Sequence, residues 1–274
     1  MGQEGVNAVT NSNFMRLLIE SIQKHETETI SNSKKMKTIK LLPLVLLAVA
    51  IFQTAILQAS PANDGRQTRQ LTGFHGVSVS SGIDLFLTQK NVEEVVVEAN
   101  SDDMDKIITK VEGGILKIYI KENSWFGIGW NNRPRKVYVS FIMLDKLHAS
   151  AGSDVNSTSV LKLNNLDCDV SSGSDVKLDV EANELHVGSS SGSDITLKGK
   201  ATTLHADASS GSDINAGDLE SKNCKASVSS GADIHVNVTD ELDAHASSGG
   251  DISYSGNPKS KNINKSSGGG VHER

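Results

Sequence analysis

The second half of the chain repeats one short phrase at a nearly constant interval. "SSGSDI" stands at residues 190–195 and again at 209–214. Variants of the phrase recur with 18 to 21 residues between successive glycines. The seven glycines are Gly152, Gly173, Gly192, Gly211, Gly231, Gly249 and Gly268. A fixed period of this length is typical of stacked structural units, none of which can bury its apolar face alone.

Residues on both sides of each glycine alternate between apolar and polar. The positions seven, five and three residues before it are apolar or small, as in Leu185, Val187 and Ser189. The third residue after it is always valine or isoleucine: Val155, Val176, Ile195, Ile214, Ile234, Ile252 and Val271. Alternation with period two predicts β-strands with one face in a core and the other in water.

Two β architectures fit this pattern, an antiparallel meander and a solenoid. Similar residues recur at the same phase of every repeat, as expected when each coil stacks on the previous one at about 4.8 Å. A meander would need a further layer to cover its second face, and no helical pattern in the chain supplies one. The sequence therefore predicts an all-β fold, a β-solenoid (β-helix) whose coils have about 19 residues.

The glycine phrase is interpreted first as architecture. Glycine permits the positive φ or the crowded backbone of a tight turn between two strands. The serine before it fits a narrow edge, and the aspartate after it can accept hydrogen bonds from turn N–H groups. The seven glycines are therefore predicted structural turn residues. Cys168 and Cys224 lie three coils apart, roughly 14 Å, beyond the reach of a disulfide, so both are predicted to be buried thiols.

The front of the chain has the pattern of a secretory signal peptide. Four lysines precede an apolar run at 41–57, and small residues follow at 60–62. This order of basic, apolar and small residues specifies export; an uncleaved anchor is the alternative, because the run approaches the length of a membrane span. The predicted organisation is an upstream, disordered extension at 1–35, a signal peptide at 36–62 that starts at Met36, an N-terminal β cap at 63–146 and a repetitive solenoid at 147–274.

The segment before the repeats is irregular and holds most of the aromatic residues. Solenoids need caps to hide their first hydrophobic layer, and this segment is predicted to be one. Its predicted strands and one helical turn lie at 74–80, 84–89, 95–99, 115–122, 135–140 and, for the turn, 102–107. At the opposite end Lys259, Lys261 and Lys265 would oppose edge-to-edge growth.

These features together resemble the "head GIN" domain family of autotransporter-adhesin type in bacterial exported proteins. The resemblance covers residues 74–271 and rests on "GFHGVSVSSGIDLFLTQ", "GGILKIYI" and the serial "SSGSD" phrases. It implies a right-handed β-superhelix with tight glycine-serine turns between its sheets, and a role in cell adhesion without assigned catalytic residues. In this chain, serine and aspartate mostly replace the second glycine of the later turns.

Two sets of side chains that the repeat places in line are candidate metal ligands. The first set is the aspartate two residues after each of six glycines: Asp154, Asp175, Asp194, Asp213, Asp233 and Asp251. Stacked carboxylates favour calcium, but the glycine-aspartate nonapeptide of calcium-binding β-rolls is absent. These aspartates are therefore predicted to be solvated turn caps.

The second set is a pair of histidines. His186 and His205 share one outward phase and could hold a metal with a third ligand such as Asp207. Outward polar residues are usually solvated, so neither a metal nor a cofactor is predicted.

One segment departs from the architectural pattern, "NSWFGIGWNNRPR" at 123–135. Trp125, Phe126 and Trp130 stand there among glycines and asparagines between two predicted strands. Large aromatic side chains on a loop often form a contact surface, which makes these three the candidate ligand contacts. The alternative is that they fold back and plug the open end of the stack.

The predicted function is an exported, non-catalytic adhesion or binding module of the bacterial cell envelope. Its partners would be glycans, matrix or cell-surface proteins, in the periplasm, at the cell surface or outside the cell, with no stable membrane span after signal cleavage. Residues 63–274 carry 21 lysines and arginines against 29 aspartates and glutamates, which argues against nucleic acid. A structural, self-associating envelope protein is the alternative. A polysaccharide-acting enzyme is a third class, which the absence of a distinct nucleophile–base pair disfavours.

Overall fold

The structure, a computed structural model, describes residues 65–121 and 134–274. The predicted extension and signal peptide, and the segment with Trp125, Phe126 and Trp130, lie outside these ranges.

The described residues are almost entirely β-strand. The N-terminal part forms β1 Arg66–Arg69, β2 Gly76–Val79, β3 Asp84–Gln89, β4 Glu94–Glu98, α1 Ser101–Met104, β5 Ile107–Glu112, β6 Ile115–Ile120, β7 Lys136–Phe141, β8 Lys146–Ala149 and β9 Asp154–Ser157. The repetitive part forms β10 Leu161–Ser171, β11 Asp175–Ser190, β12 Asp194–Ser209, β13 Asp213–Val228, β14 Asp233–Ala246, β15 Asp251–Gly256, β16 Ser260–Lys265 and β17 Gly270–Glu273. Among the described residues, no helix has the length and apolar character needed to cross a membrane.

The strands stack as flattened coils with two sides. We call the strands that enter the Ser-Gly turns the pre-turn sheet and those that leave them the post-turn sheet, and we name each coil after its turn glycine. The long strands β11 to β14 contribute to both sheets, because each begins after one turn and bends at the opposite, rounded edge before the next. All pairings between successive repeat coils are parallel.

The register confirms the predicted solenoid. Leu166, Leu185 and Leu204 lie in line on successive coils, and Cys224 and Leu242 extend the same column. All five are at most 3% exposed. Each repeat of the sequence therefore supplies one residue of this column, and the column fills the space between the two sheets in every coil.

The order of coils in space differs from the order in the chain at the N-terminal end. Strands β2 and β3 form the Gly82 coil, which pairs on one side with β8 and β9. On its other side it pairs with β6 and β7, which come later in the chain. The chain therefore forms the Gly82 coil before the parallel layer of β6 and β7 on its far side, and then returns to the near side to continue the stack.

Antiparallel strands close this end of the solenoid. Strand β4 pairs with β7, β1 pairs with β4, and β5 pairs with β6, each in antiparallel orientation. Strands β1 and β5 were not predicted from the sequence. Their burial patterns do not alternate cleanly, since β1 is mostly exposed and β5 mostly half-buried.

Both cysteines lie in the core as free thiols, as predicted. Cys168 is 0% and Cys224 3% exposed. Burial disfavours the charged thiolate and raises the pKa of both thiols, that of Cys224 to about 12, so they act as small core residues and not as nucleophiles.

The lysines at the C-terminal end lie across the last coil. The Lys265 Nζ donates to the carbonyl of Val271 at 2.9 Å. Lys261 contacts the Glu273 carboxylate at 3.2 Å, with its Nζ 5.3 Å from the centre of the Tyr254 ring. These contacts place positive charge beside the unpaired edge of the solenoid, which disfavours addition of another strand.

Candidate functional site

The turns form one straight edge of the molecule. Each of the seven predicted glycines has a positive φ, between 66° and 78°, and so does the residue before it, between 48° and 59°. Two consecutive positive φ values are the pattern of a type I′ turn. Serine occupies the first of these positions in all the repeat coils except the Gly152 coil, which has Ala151. L-residues adopt this conformation at a cost, so the edge is built from mildly strained backbone.

Backbone hydrogen bonds join the turns along this edge. The N–H of Gly192 donates to the carbonyl of Ser210 in the next coil at 3.3 Å, and the N–H of Gly211 donates to that of Ser230 at 3.2 Å. The same bond recurs from the Gly82 coil to the Gly249 coil. The edge is therefore a continuous hydrogen-bonded line, which fixes the positions of the side chains that flank it.

The serine after the glycine points into the core and bonds with the turn. Ser193 and Ser212 are fully buried. The hydroxyl of Ser193 accepts from the N–H of Ser190 at 3.1 Å and donates to the carbonyl of Val170 in the previous coil at 2.9 Å. The sequence prediction gave this hydrogen-bonding role to the following aspartate, which the structure instead places on the outer surface.

A groove of about 740 Å³ runs over the outer face of the pre-turn sheet beside the edge. It crosses six successive coils, from the Gly173 coil to the Gly268 coil. One row of serines, two residues before each glycine, forms part of its lining and is called the serine row: Ser171, Ser190, Ser209, Ser229, Ser247 and Ser266. A second outward row, two residues earlier in each strand, is mixed: Asp169, Gly188, Asp207, Ser227, His245 and Asn264.

The groove combines a regular floor with a variable wall. Hydroxyl groups of the serine row recur at the spacing of parallel strands, about 4.8 Å, so the floor presents hydrogen-bonding groups in a straight line. The second row supplies carboxylates at one end, and an imidazole and an amide at the other. Such a surface suits an extended polar chain that crosses several coils.

The aspartates form a ladder on the outer face of the post-turn sheet. Strand register places them side by side on successive coils, with one member more than predicted, in the order Asp84, Asp154, Asp175, Asp194, Asp213, Asp233 and Asp251. Partial burial, and then the neighbouring carboxylates, raise the pKa of Asp154 and of Asp213. The ladder therefore concentrates negative charge on one side of the turn edge. A smaller depression of about 430 Å³ lies beside its C-terminal end.

The segment with Trp125, Phe126 and Trp130 lies outside the described residues, but its two attachment points are described. In the parallel layer next to the Gly82 coil, β6 runs beside β2, with Ile118 opposite Val79, and β7 runs beside β3, with Lys136 opposite Asp84. Val79 and Asp84 flank the first Ser-Gly turn. The described end of β6 and the described start of β7 therefore both lie at the turn edge.

His186 and His205 lie side by side on neighbouring coils, as their shared phase predicted. Their rings are stacked, with centres 4.4 Å apart and planes inclined by 12°. The carboxylate that approaches them is Glu184, whose Oε1 lies 3.0 Å from the Nε2 of His186 and 3.8 Å from the Nε2 of His205. Asp207, the third ligand proposed from the sequence, lines the groove instead.

The chain is thus a capped, repetitive β-solenoid that presents ordered rows of polar side chains on both sides of one turn edge. The family described as "Putative auto-transporter adhesin, head GIN domain" matches residues 73–258, and the chain belongs to this family. No curated protein matches the sequence.

Solved structures of bacterial proteins share the fold. A "putative adhesin" from Bacteroides fragilis is 20% identical over 76% of this chain and 96% of its own, with a TM-score of 0.69. A "putative adhesin" from Parabacteroides merdae is 14% identical over 78% and 98%, with a TM-score of 0.59. A "putative lipid binding protein" from Parabacteroides distasonis is 21% identical over 77% and 98%, with a TM-score of 0.58. At these identities the likeness shows the fold alone.

Proposed function

We propose that this protein is an exported, non-catalytic binding module of the bacterial cell envelope that uses the groove beside the turn edge for adhesion. The observation that carries the proposal is the groove itself, about 740 Å³ across six coils and floored by the serine row. A ligand that lies along it would be elongated and polar, such as a linear glycan or an extended segment of a matrix or cell-surface protein. Membership of an adhesin-type family supports this role.

The chemistry of the groove favours binding over catalysis. The serine row offers the same group in every coil, whereas an active site brings different groups together at one point. Many equivalent weak hydrogen bonds along a line give affinity that grows with the length of the ligand, which suits an adhesin.

Binding is best tested with the purified protein on an array of glycans and immobilised matrix proteins. Ser209→Trp would fill the middle of the groove without entering the core, because Ser209 points outward. We expect it to weaken binding at least tenfold. The control is Lys177→Trp, an equally bulky change on the exposed face of the other sheet. Equal binding by both variants would remove the groove from the proposal.

Self-association is the alternative role and is tested on the same samples. Strand β16 is exposed at every residue, so assembly through the C-terminal end of the stack would have to overcome the positive charge of the lysines that lie there. Light scattering that shows concentration-dependent assembly, together with an array that shows no ligand, would favour a structural envelope protein over a binding module.

Export is proposed from residues 36–62 and is tested separately. We expect cells that express the chain from Met36 to release a form whose N-terminus lies near residue 63, as N-terminal sequencing would show. An uncleaved protein in the cytosol would contradict the export proposal, and the adhesion role would be abandoned with it.

A further inference from the structure

Glu184, His186 and His205 form a compact group on the outer face of the pre-turn sheet, outside the groove. Their candidate ligand atoms all lie within 4.8 Å of one another, and no other group of at least three metal-binding side chains among the described residues does so. The group is accessible, since the side chains of His186 and His205 are 51% and 32% exposed.

The repeat explains why these three side chains meet. Glu184 and His186 are two residues apart on β11, so both point outward on the same face. His205 lies opposite His186 on β12, one coil further along. Parallel in-register strands force the two imidazoles to point the same way, which brings both Nε2 atoms towards one carboxylate oxygen.

The distances fit a tetrahedral metal ion. With metal–ligand bonds of about 2.0–2.1 Å, ligand atoms of a tetrahedral zinc site are roughly 3.4 Å apart. The two distances from Glu184 Oε1 to the imidazole nitrogens, 3.0 and 3.8 Å, lie on either side of this value. The third separation, between the two imidazole nitrogens, is within 4.8 Å. Closing the site therefore requires the two stacked rings to tilt towards each other, which their exposure allows.

We propose that Glu184, His186 and His205 bind a divalent transition-metal ion of the Zn²⁺ or Cu²⁺ class. Imidazole nitrogen and carboxylate oxygen are ligands that such ions accept. In the metal-free protein the His186 Nε2 and the Glu184 Oε1 form a hydrogen bond of 3.0 Å, and the ion takes its place. Three protein ligands leave a fourth position for water or for a group from a partner molecule.

The neighbouring charges are mixed and compatible with a bound cation. Register places Asp167 next to His186 on one side of the stack and Lys225 next to His205 on the other. With Glu184, these groups give a net charge of about −1 around the site, which a divalent ion reverses to about +1. A bound ion would also link two successive coils. This proposal is independent of ligand binding in the groove.

The test uses the full-length protein freed of metal with a chelator and titrated calorimetrically with Zn²⁺ alone. We expect one tight equivalent per chain. His186→Gln and His205→Gln should each weaken it at least tenfold, because each removes one of three ligands. The matched control is His245→Gln, since His245 also lies near a carboxylate two residues away, Asp243, but faces Asn264 and not a second histidine in the next coil.

A second measurement separates a built site from adventitious binding. Co²⁺ in place of Zn²⁺ should give the intense visible absorption of a four-coordinate ion in the wild type and in His245→Gln, and lose it in His205→Gln. Circular dichroism confirms that each variant is folded. No tight Zn²⁺ binding, or equal loss of binding in His245→Gln and the two ligand variants, would overturn the proposal.

Discussion

Two parts of the solenoid make the same turn with different hydrogen bonds. In the Gly192 and Gly211 coils, the buried serine after the glycine lies between two backbone groups. Ser212, for example, accepts from the N–H of Ser209 and donates to the carbonyl of Ser189 in the previous coil. In the Gly231, Gly249 and Gly268 coils that serine is replaced by Ala232, Gly250 and Gly269.

Without the hydroxyl, the backbone bonds directly. The N–H of Ser229 donates to the carbonyl of Ala208 at 3.0 Å, and the N–H of Ser247 donates to that of Val228 at 3.0 Å. A second bond closes each turn, from the N–H of Gly250 to the carbonyl of Ser247 at 3.0 Å. We call the first arrangement the hydroxyl relay and the second the direct turn. Both satisfy the same buried groups, so the residue after the glycine decides whether successive coils are joined through a hydroxyl or by a direct backbone bond.

The largest effect is expected where a serine is forced into the closest direct turn. A Cβ atom at Gly269 would clash with the backbone of Ala246 and come within 2.6 Å of the amide nitrogen of Ser247. Backbone cannot rotate away, so Gly269→Ser should destabilise the last coil by about 3 kcal/mol, the upper end for overpacking. Hydrogen exchange in β16 and β17 should then accelerate by roughly a hundredfold.

The control for this change is Ala232→Ser, which adds a hydroxyl where a Cβ is already accommodated. We expect it to alter stability by less than about 1 kcal/mol. If Gly269→Ser left exchange of the last coil unchanged, close approach would not be what distinguishes the direct turns.

Removing a relay hydroxyl should have the next largest effect. Ser193→Ala leaves the N–H of Ser190 and the carbonyl of Val170 without the hydroxyl that joins them, which should cost about 2 kcal/mol, typical of unsatisfied buried groups. Urea denaturation of the variant measures the loss. The matched control is Ser190→Ala, which removes an outward hydroxyl and should change stability by less than about 0.5 kcal/mol. A loss no greater than that of the control would mean that the coils close up into a direct turn.

A third prediction tests what the two arrangements share. Gly211 and Gly249 have φ values of 66° and 72°, and a Cβ at either would meet no atom within 4 Å. The main cost of Gly211→Val is therefore strain in the backbone, about 1–2 kcal/mol, because the added Cβ meets no neighbour. Gly249→Val should cost the same, as thermal unfolding would measure. Unequal costs would show that the residue after the glycine affects the turn itself.

The fold could be predicted because local patterns report directly on it. Period-two alternation identifies the strands, and the interval between glycines identifies the coil. The same alternation indicates the inward position of Ser193, which is two residues before the buried Ile195, although the hydrogen bonds of the turn were assigned to the aspartate that follows it. The order of the first layers was not predictable, since which strand lies beside which is a long-range property that no local pattern in β2 or β6 encodes.

The histidine pair and the groove were likewise predictable from the sequence only in part. The outward phase shared by His186 and His205 predicted that the rings would be neighbours. Glu184 and Asp207 each stand two residues from one of these histidines, so spacing alone could not say which carboxylate approaches both. The groove was missed because its floor consists of serines that looked purely architectural. Their second role depends on the depth of the surface beside the turn edge, which only the three-dimensional arrangement defines.

The smallest effect concerns the aspartate ladder, which crosses both kinds of turn without a break. Partial burial, followed by Asp194 and Asp233 on either side, raises the pKa of Asp213. The folded protein thus binds this proton more tightly than the unfolded chain does. Its contribution to stability is most favourable below the unfolded pKa, about 3.9, and declines as pH rises through the folded pKa.

Asp213→Asn should therefore raise the Tm at pH 7, by only about 1 °C because the carboxylate is exposed and screened. At pH 3, where the carboxyl is protonated in both states, the gain should vanish. The control is Asp207→Asn, whose in-register neighbours Gly188 and Ser227 are uncharged. If both variants gained equally at pH 7, the benefit would come from lowering the overall negative charge. A gain confined to Asp213→Asn would instead show that the ladder keeps its charges side by side at a small cost in stability.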